Sequence, residues 1–94
     1  MSTIAVDNER RDGDRWRYDV RVSEGRRAHD FAVTLAQADY DRWSGGRVAA
    51  AEVVRVAFRF LLEREPVTSI LTAFDCSVIR RYFPEVDREL PRRL

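Results

Sequence analysis

The sequence predicts an α+β domain: an antiparallel β-hairpin packed on one long helix and short C-terminal helices, with room for a third strand. Three observations carry this. Residues 15–23 and 28–35 alternate apolar and polar side chains with a period of two. Residues 48–65 are apolar over an arc of about 240° in helical projection. The last third breaks into short helical pieces punctuated by Pro66, Pro84 and Pro91. A chain of 94 residues fits one domain, and surface scaling has it burying roughly 65% of its unfolded surface. The expected division is a flexible segment over 1–14, a single α+β domain over 15–90 and a frayed end over 91–94.

The elements follow in order. Residues 1–14 are polar and close on Arg10-Arg11-Asp12-Gly13-Asp14, a loop-like cluster. Ile4 and Val6 are compatible with a short strand, and a flexible lead-in fits equally well. In the first long strand Trp16, Tyr18, Val20 and Val22 point one way; in the second, His29, Phe31, Val33 and Leu35 do so. A Gly25-Arg26 loop places glycine at the first central position of a type II′ turn, where φ is positive. Trp16 then faces Leu35, Tyr18 faces Val33, Val20 faces Phe31 and Val22 faces His29, while Arg21 meets Asp30 and Glu24 meets Arg27. The rival Glu24-Gly25 loop sets Asp19 against Asp30, and like charges directly opposite are unfavourable.

A short helix is expected over about residues 36–44, with capping-box spacing from Thr34 to Gln37. Tyr40 and Trp43 share one face, and Gly45-Gly46 ends the helix. In the main helix Glu52, Arg55, Arg59 and Glu63 form one narrow polar stripe, with Glu52–Arg55 and Arg59–Glu63 as surface ion pairs. So wide an apolar remainder must be covered by the chain itself or by a second copy, which nominates Val53, Val56 and Phe60 for self-association. Glu65-Pro66 terminates it. Beyond it, Ile70, Leu71 and Phe74 lie on a turn begun by Thr68 or Ser69. Asp75 is a good N-cap for a helix over 76–83 with Val78, Ile79, Tyr82 and Phe83 inward. Pro84-Glu85-Val86-Asp87 opens a further helix, proline first and acids in its first turn.

Charge narrows the functional classes. Seventeen residues are arginine, none is lysine, sixteen are Asp or Glu, and the net charge is +1. Arginine without lysine reflects GC-rich coding, which ten alanines and a single asparagine also suggest. Residues 1–47 hold nine Arg and nine acids, and residues 48–94 eight and seven, so neither half is a basic tail. No apolar run reaches the ~18 residues of a membrane span. The start lacks the basic and apolar regions of a secretory leader, and the lone Cys76 excludes an internal disulfide. A soluble, cytoplasmic protein is the expectation.

Phe58-Arg59-Phe60-Leu61-Leu62-Glu63-Arg64-Glu65-Pro66 is followed by Ser69-Ile70-Leu71, by Phe74-Asp75-Cys76-Ser77-Val78-Ile79 and by Arg81-Tyr82-Phe83-Pro84-Glu85. In order and spacing this resembles a family of small bacterial proteins carrying FRFLLEREP, SIL, FD-x-SVI and RYFPE. The resemblance spans about residues 58–90 and implies no activity. Cys76 stands where that pattern has an aliphatic residue, which implies a packing position.

Catalytic or metal chemistry finds little footing. His29 is the only histidine, has no second His or Cys pair to join it, and reads as a rim residue of the second strand. Cys76 follows an N-cap, where a thiol pKa can fall, yet no local partner points to activation. Ser44-Gly45-Gly46-Arg47 could hold an anion, but a helix end with its linker accounts for it. A helix-turn-helix over 68–83 fails because Arg81 sits where an apolar residue is required. No cofactor, metal ligand set or catalytic residue is therefore expected.

The remaining lead is the hairpin: Arg15, Arg17 and Arg21 line its outer face, and Arg26 and Arg27 sit at its tip. With Asp19 and Glu24 this is a local charge of +3 over residues 15–27, and a basic ribbon can enter a nucleic-acid groove. The first expectation is a small non-catalytic protein-interaction module that self-associates, as a homodimer or with another protein; the alternative is a nucleic-acid-binding protein using the basic hairpin.

Overall fold

The computed structural model describes residues 2–94. It is an α+β fold in which one face of a four-stranded sheet is covered by helices. The strands are β1 (Ser2–Asp12), β2 (Arg15–Glu24), β3 (Arg27–Ala36) and β4 (Ala73–Asp75), in spatial order β1-β2-β3-β4. The helices are α1 (Gln37–Ser44), α2 (Ala50–Arg64), α3 (Ile79–Tyr82) and α4 (Val86–Arg93), with 3-10 turns at Val67–Ser69 and Cys76–Val78.

The hairpin forms in the register that charge pairing favours. Trp16 pairs with Leu35, Tyr18 with Val33, Val20 with Phe31, Val22 with His29 and Arg21 with Asp30. Gly25 takes φ +61° at the first loop position, which a residue without Cβ adopts freely. Tyr18, Val20, Val22, Phe31, Val33 and Leu35 are buried against the helices. The Glu24 carboxylate does not pair with the guanidinium of its cross-strand neighbour Arg27; it accepts a hydrogen bond from the Ser2 hydroxyl at 2.8 Å.

Two strands exceed the sequence expectation. Ser2–Asp12, expected as a flexible lead-in, pairs antiparallel with β2 from Ser2↔Glu24 to Asp12↔Arg15. Met1, the first residue of that expected segment, lies outside the described residues. Ile4 and Val6 pack on the core face. A bulge between Asp7 and Arg10 then interrupts the alternation, with Asn8 at φ 56°, a conformation asparagine tolerates better than most residues. The bulge hides the pattern, because inward positions change parity across it: Arg11 lies over the Trp16 ring at 4.1 Å, and Glu9 accepts the Tyr18 hydroxyl bond. The three-residue β4 pairs in parallel with β3 through Ala32↔Ala73, Val33↔Phe74 and Thr34↔Asp75. It is too short to show a period.

Local corrections have equally specific causes. The Thr34–Gln37 capping box does not form: Ala36 is the N-cap, the Thr34 hydroxyl bonds Asp75 instead, and Gln37 N–H donates to the Asp14 carbonyl at 2.7 Å. Gly45 caps α1 in the left-handed region as expected. Asp75 caps the 3-10 turn by accepting the Ser77 N–H at 3.1 Å. Tyr82, expected inward, is 66% exposed, as is Leu71 at 52%. Within the segment expected to fray, α4 runs through Pro91 to Arg93, and Arg93 holds Glu63 through two bonds of 2.7 Å.

α2 has its apolar arc covered by its own chain. Phe58 meets the rings of Phe31 at 5.2 Å and Phe74 at 5.8 Å. Phe60 meets Phe83 at 6.2 Å and lies under the guanidinium of Arg64 at 3.6 Å. The rest of the helical layer packs through Trp43, Ile79, Val86 and Leu90 and is tied together by charge. Arg80 of α3 donates to Asp39 of α1 at 2.6 Å and to Asp87 of α4 at 3.0 and 3.1 Å. The indole N–H of Trp43 donates to Asp87 at 2.8 Å.

Candidate functional site

The sheet's outer face does not present the basic ribbon that the sequence suggests. Arg21 is held by Asp30 through bonds of 2.8 and 3.1 Å. Arg17 pairs with Asp12 of β1 at 3.1 Å. Arg15 pairs with Asp75 of β4 at 3.0 Å and approaches Asp14 at 3.8 Å. β1, longer than the short strand the sequence allowed, and the unexpected β4 thus supply the acids that pair with Arg17 and Arg15. They also make the hairpin the middle of a four-stranded sheet, too broad to enter a groove as a two-stranded ribbon. Arg26 and Arg27 are exposed at the tip, and neither has an ion-pair partner among the described residues.

Val53, Val56 and Phe60 are 0%, 6% and 0% exposed within the single chain. They are core residues, and the self-association surface nominated from them is corrected accordingly. The breadth of the apolar arc has an internal cause: sheet, α1, α4 and the segment around Phe74 and Phe83 enclose α2 on all sides but the polar stripe.

The isolated candidates read as structure. His29 is half-buried opposite Val22. Cys76 is fully buried, and burial, reinforced by the nearby Asp75 and Asp39 carboxylates, pushes its thiol well above the ordinary range. Such a thiol is a packing group. Ser44 bonds the Tyr40 carbonyl and receives the Gly46 N–H, so the Ser44–Arg47 loop is occupied with ending α1. Asp75 collects Arg15, Thr34 and Ser77. Burial pushes its carboxyl up, but the Ser77 and Thr34 bonds and the Arg15 charge hold it below the usual carboxylate range. Among the described residues no group of three or more His, Cys, Asp or Glu is placed to hold a metal ion, and no helix is long and apolar enough to cross a membrane.

β4 pairs with only Ala32–Thr34 of β3, and the longest unpaired edge of the sheet is that of β1. β1 is an edge strand, and α2 runs beside it with its polar stripe outward. The direction of the free backbone groups follows from the hairpin. With a two-residue loop, Glu24 and Arg27 exchange hydrogen bonds, so the even-numbered residues of β2 face β3 and the odd-numbered ones face β1. In the β1–β2 register, Thr3, Ala5 and Asp7 oppose Ser23, Arg21 and Asp19 and so bond inward. The N–H and C=O groups of Ser2, Ile4 and Val6 point away from the sheet. Arg55 Nε lies 3.5 Å from the Ile4 carbonyl oxygen, on that outer side. Between strand and helix runs a cleft of about 460 Å³ lined by Ser2, Thr3 and Ile4 on the strand and by Arg55, Arg59, Leu62 and Glu63 on the helix.

The charges along this flank are uneven. Arg55 is engaged by Glu52 at 2.6 Å. Glu63, expected to pair with Arg59, is taken by Arg93, whose cation holds its carboxyl below the usual range against the opposing effect of burial. Arg59 is exposed and has no ion-pair partner among the described residues. β1 was the element least legible in the sequence; the uncharged, β-favouring run Ser2-Thr3-Ile4-Ala5-Val6 was its signal.

Comparison with protein-family models, curated proteins and solved structures finds no match for this chain.

Proposed function

We propose that the protein is a small non-catalytic protein-interaction module that self-associates, and that it docks through the flank formed by the β1 edge and the α2 stripe. The observation that carries this reading is the open outer edge of an eleven-residue strand. An unpaired strand edge is a template for a further strand. Proteins that must avoid such pairing blunt the edge with charges, proline, a bulge or a cover. From Asp7 onward β1 carries both charges and a bulge; from Ser2 to Val6 its own residues include no charge, proline or bulge, and Arg55 Nε reaches this edge only at the Ile4 carbonyl, at 3.5 Å.

The nucleic-acid reading loses its support, because Arg15, Arg17 and Arg21 are paired and phosphate binding needs an excess positive field. Sedimentation velocity across a dilution series tests self-association: the mass should rise with concentration above the 11.0 kDa chain mass. A strict monomer at the highest soluble concentration rejects it.

A further inference from the structure

We infer that two copies join through Ser2–Val6 of β1, antiparallel about a two-fold axis at Ile4, with Arg59 of each copy against Glu52 of the other. The inference rests on the self-association proposed above and specifies its geometry. Closed dimers pair a surface with itself, so the flank must complement its own rotated image. In the strand layer it does. An axis perpendicular to the sheet sets Ile4 against Ile4, Thr3 against Ala5 and Ser2 against Val6, which keeps core-facing residues on one face in both copies. The outward N–H and C=O groups of Ser2, Ile4 and Val6 then meet their counterparts, the Ile4 carbonyl exchanging its 3.5 Å contact with Arg55 for the copy's Ile4 N–H, and no charged residue belongs to the paired stretch. The bulge beginning after Asp7 ends the pairing, which holds it to one register.

The apolar side chains along this line are the incompletely covered ones: Ile4, Val6 and Leu62 are each half-buried and packed at the margin of the core. Pairing brings Ile4 onto Ile4 and places the copy's Val6 opposite Ser2, beside Leu62 in the cleft. A short strand pairing is marginal alone, so the helix layer must contribute. Arg55 marks the level of the axis on α2 through its approach to the Ile4 carbonyl. Counting one turn from it in each direction along antiparallel helices brings Arg59 opposite the copy's Glu52. The cation left without a partner in its own chain thereby shares Glu52 of the copy with the copy's Arg55, which holds that carboxylate at 2.6 Å, twice per dimer. An eight-stranded sheet results, with a helix layer continuous across the axis.

Light scattering and sedimentation of the full chain and of three variants test the arrangement. The wild type should reach twice the 11.0 kDa chain mass. Ile4→Pro removes an outward donor and leaves the β1–β2 bonds intact, as edge prolines do; it should give a folded monomer by circular dichroism. If that variant does not fold, Ser2→Pro applies the same logic at an exposed position. Arg59→Glu confronts the copy's Glu52 with a like charge and should weaken the dimer about tenfold or more. Adding Glu52→Arg to it should restore association. A wild type that stays monomeric overturns this geometry together with self-association. A dimer that either the proline variant or Arg59→Glu leaves intact overturns the geometry alone and leaves self-association standing.

Discussion

Replacing Arg80 by methionine tests what joins the three smaller helices. The methionine retains much of the aliphatic stem and deletes the charge. Asp39 is 5% exposed and loses the cation that bonds it at 2.6 Å. Asp87 loses two bonds and keeps Trp43 at 2.8 Å and Arg42 at 3.5 Å. Stranding a buried charge costs about 3–5 kcal/mol. The Arg80 side chain is 29% exposed, so water can enter the vacated space, and a loss of about 2–3 kcal/mol is expected. That is a large share of the roughly 5–15 kcal/mol available to a domain. Urea unfolding followed by tryptophan fluorescence should show the midpoint falling by roughly 1–2 M at an unchanged slope.

The deficit should depend on pH with a defined sign. The bonds from Arg80, with help from Trp43 and against the opposing effect of burial, hold the Asp87 carboxyl below its ordinary range. A group depressed in the folded state adds stability above its unfolded pKa of about 3.9 and loses it as the pH falls through the folded value. The gap between wild type and Arg80→Met should therefore be full at neutral pH and shrink in acid. A neutral-pH loss below about 1 kcal/mol, or a gap that does not narrow in acid, refutes the assignment of Arg80 as the tie between α1, α3 and α4.

Two further outcomes are expected. Gly25→Ala places a Cβ at φ +61° in open space, so its cost is backbone strain alone, about 1–2 kcal/mol, and Gly25→Asn should cost less; equal losses in thermal unfolding would contradict a strain origin. Cys76, fully buried and with its thiol pushed upward, should react with a thiol reagent only as fast as the chain opens, and rapid labelling of the native protein would place that thiol outside the core.

The parts legible in the sequence were those whose signals are local and periodic. β2 and β3 showed their alternation, one glycine set the turn, and the opposition of Arg21 to Asp30 chose the register. What escaped notice lacked a period or depended on distant partners. β1 changes parity at its bulge, and β4 is three residues long. The acids that neutralise Arg15 and Arg17 sit on β4 and β1, so the hairpin looked more basic than it is. Arg59 illustrates the same limit on α2: its spacing from Glu63 suggested an ion pair, but Arg93, which folds back from the C-terminal helix, binds Glu63 more fully than a neighbour on one helix face can.

The proposed self-association lies at the β1 flank and not on the apolar arc of α2, which is too wide to leave exposed and which the chain wraps itself. The strand unforeseen as a paired element then creates a new open edge, for each strand added to an unclosed sheet passes the unpaired backbone outward. On the other side β4 covers Ala32–Thr34, and the part of β3 left unpaired before it carries the charges of Arg27 and Asp30, a device that blunts an edge. β1 ends its side with five residues that include no charge, proline or bulge, next to a cation whose expected partner is engaged elsewhere. An interface at that flank leaves Val53, Val56 and Phe60 in the core of each copy, so the monomer can be a stable folded species and association a reversible step governed by concentration.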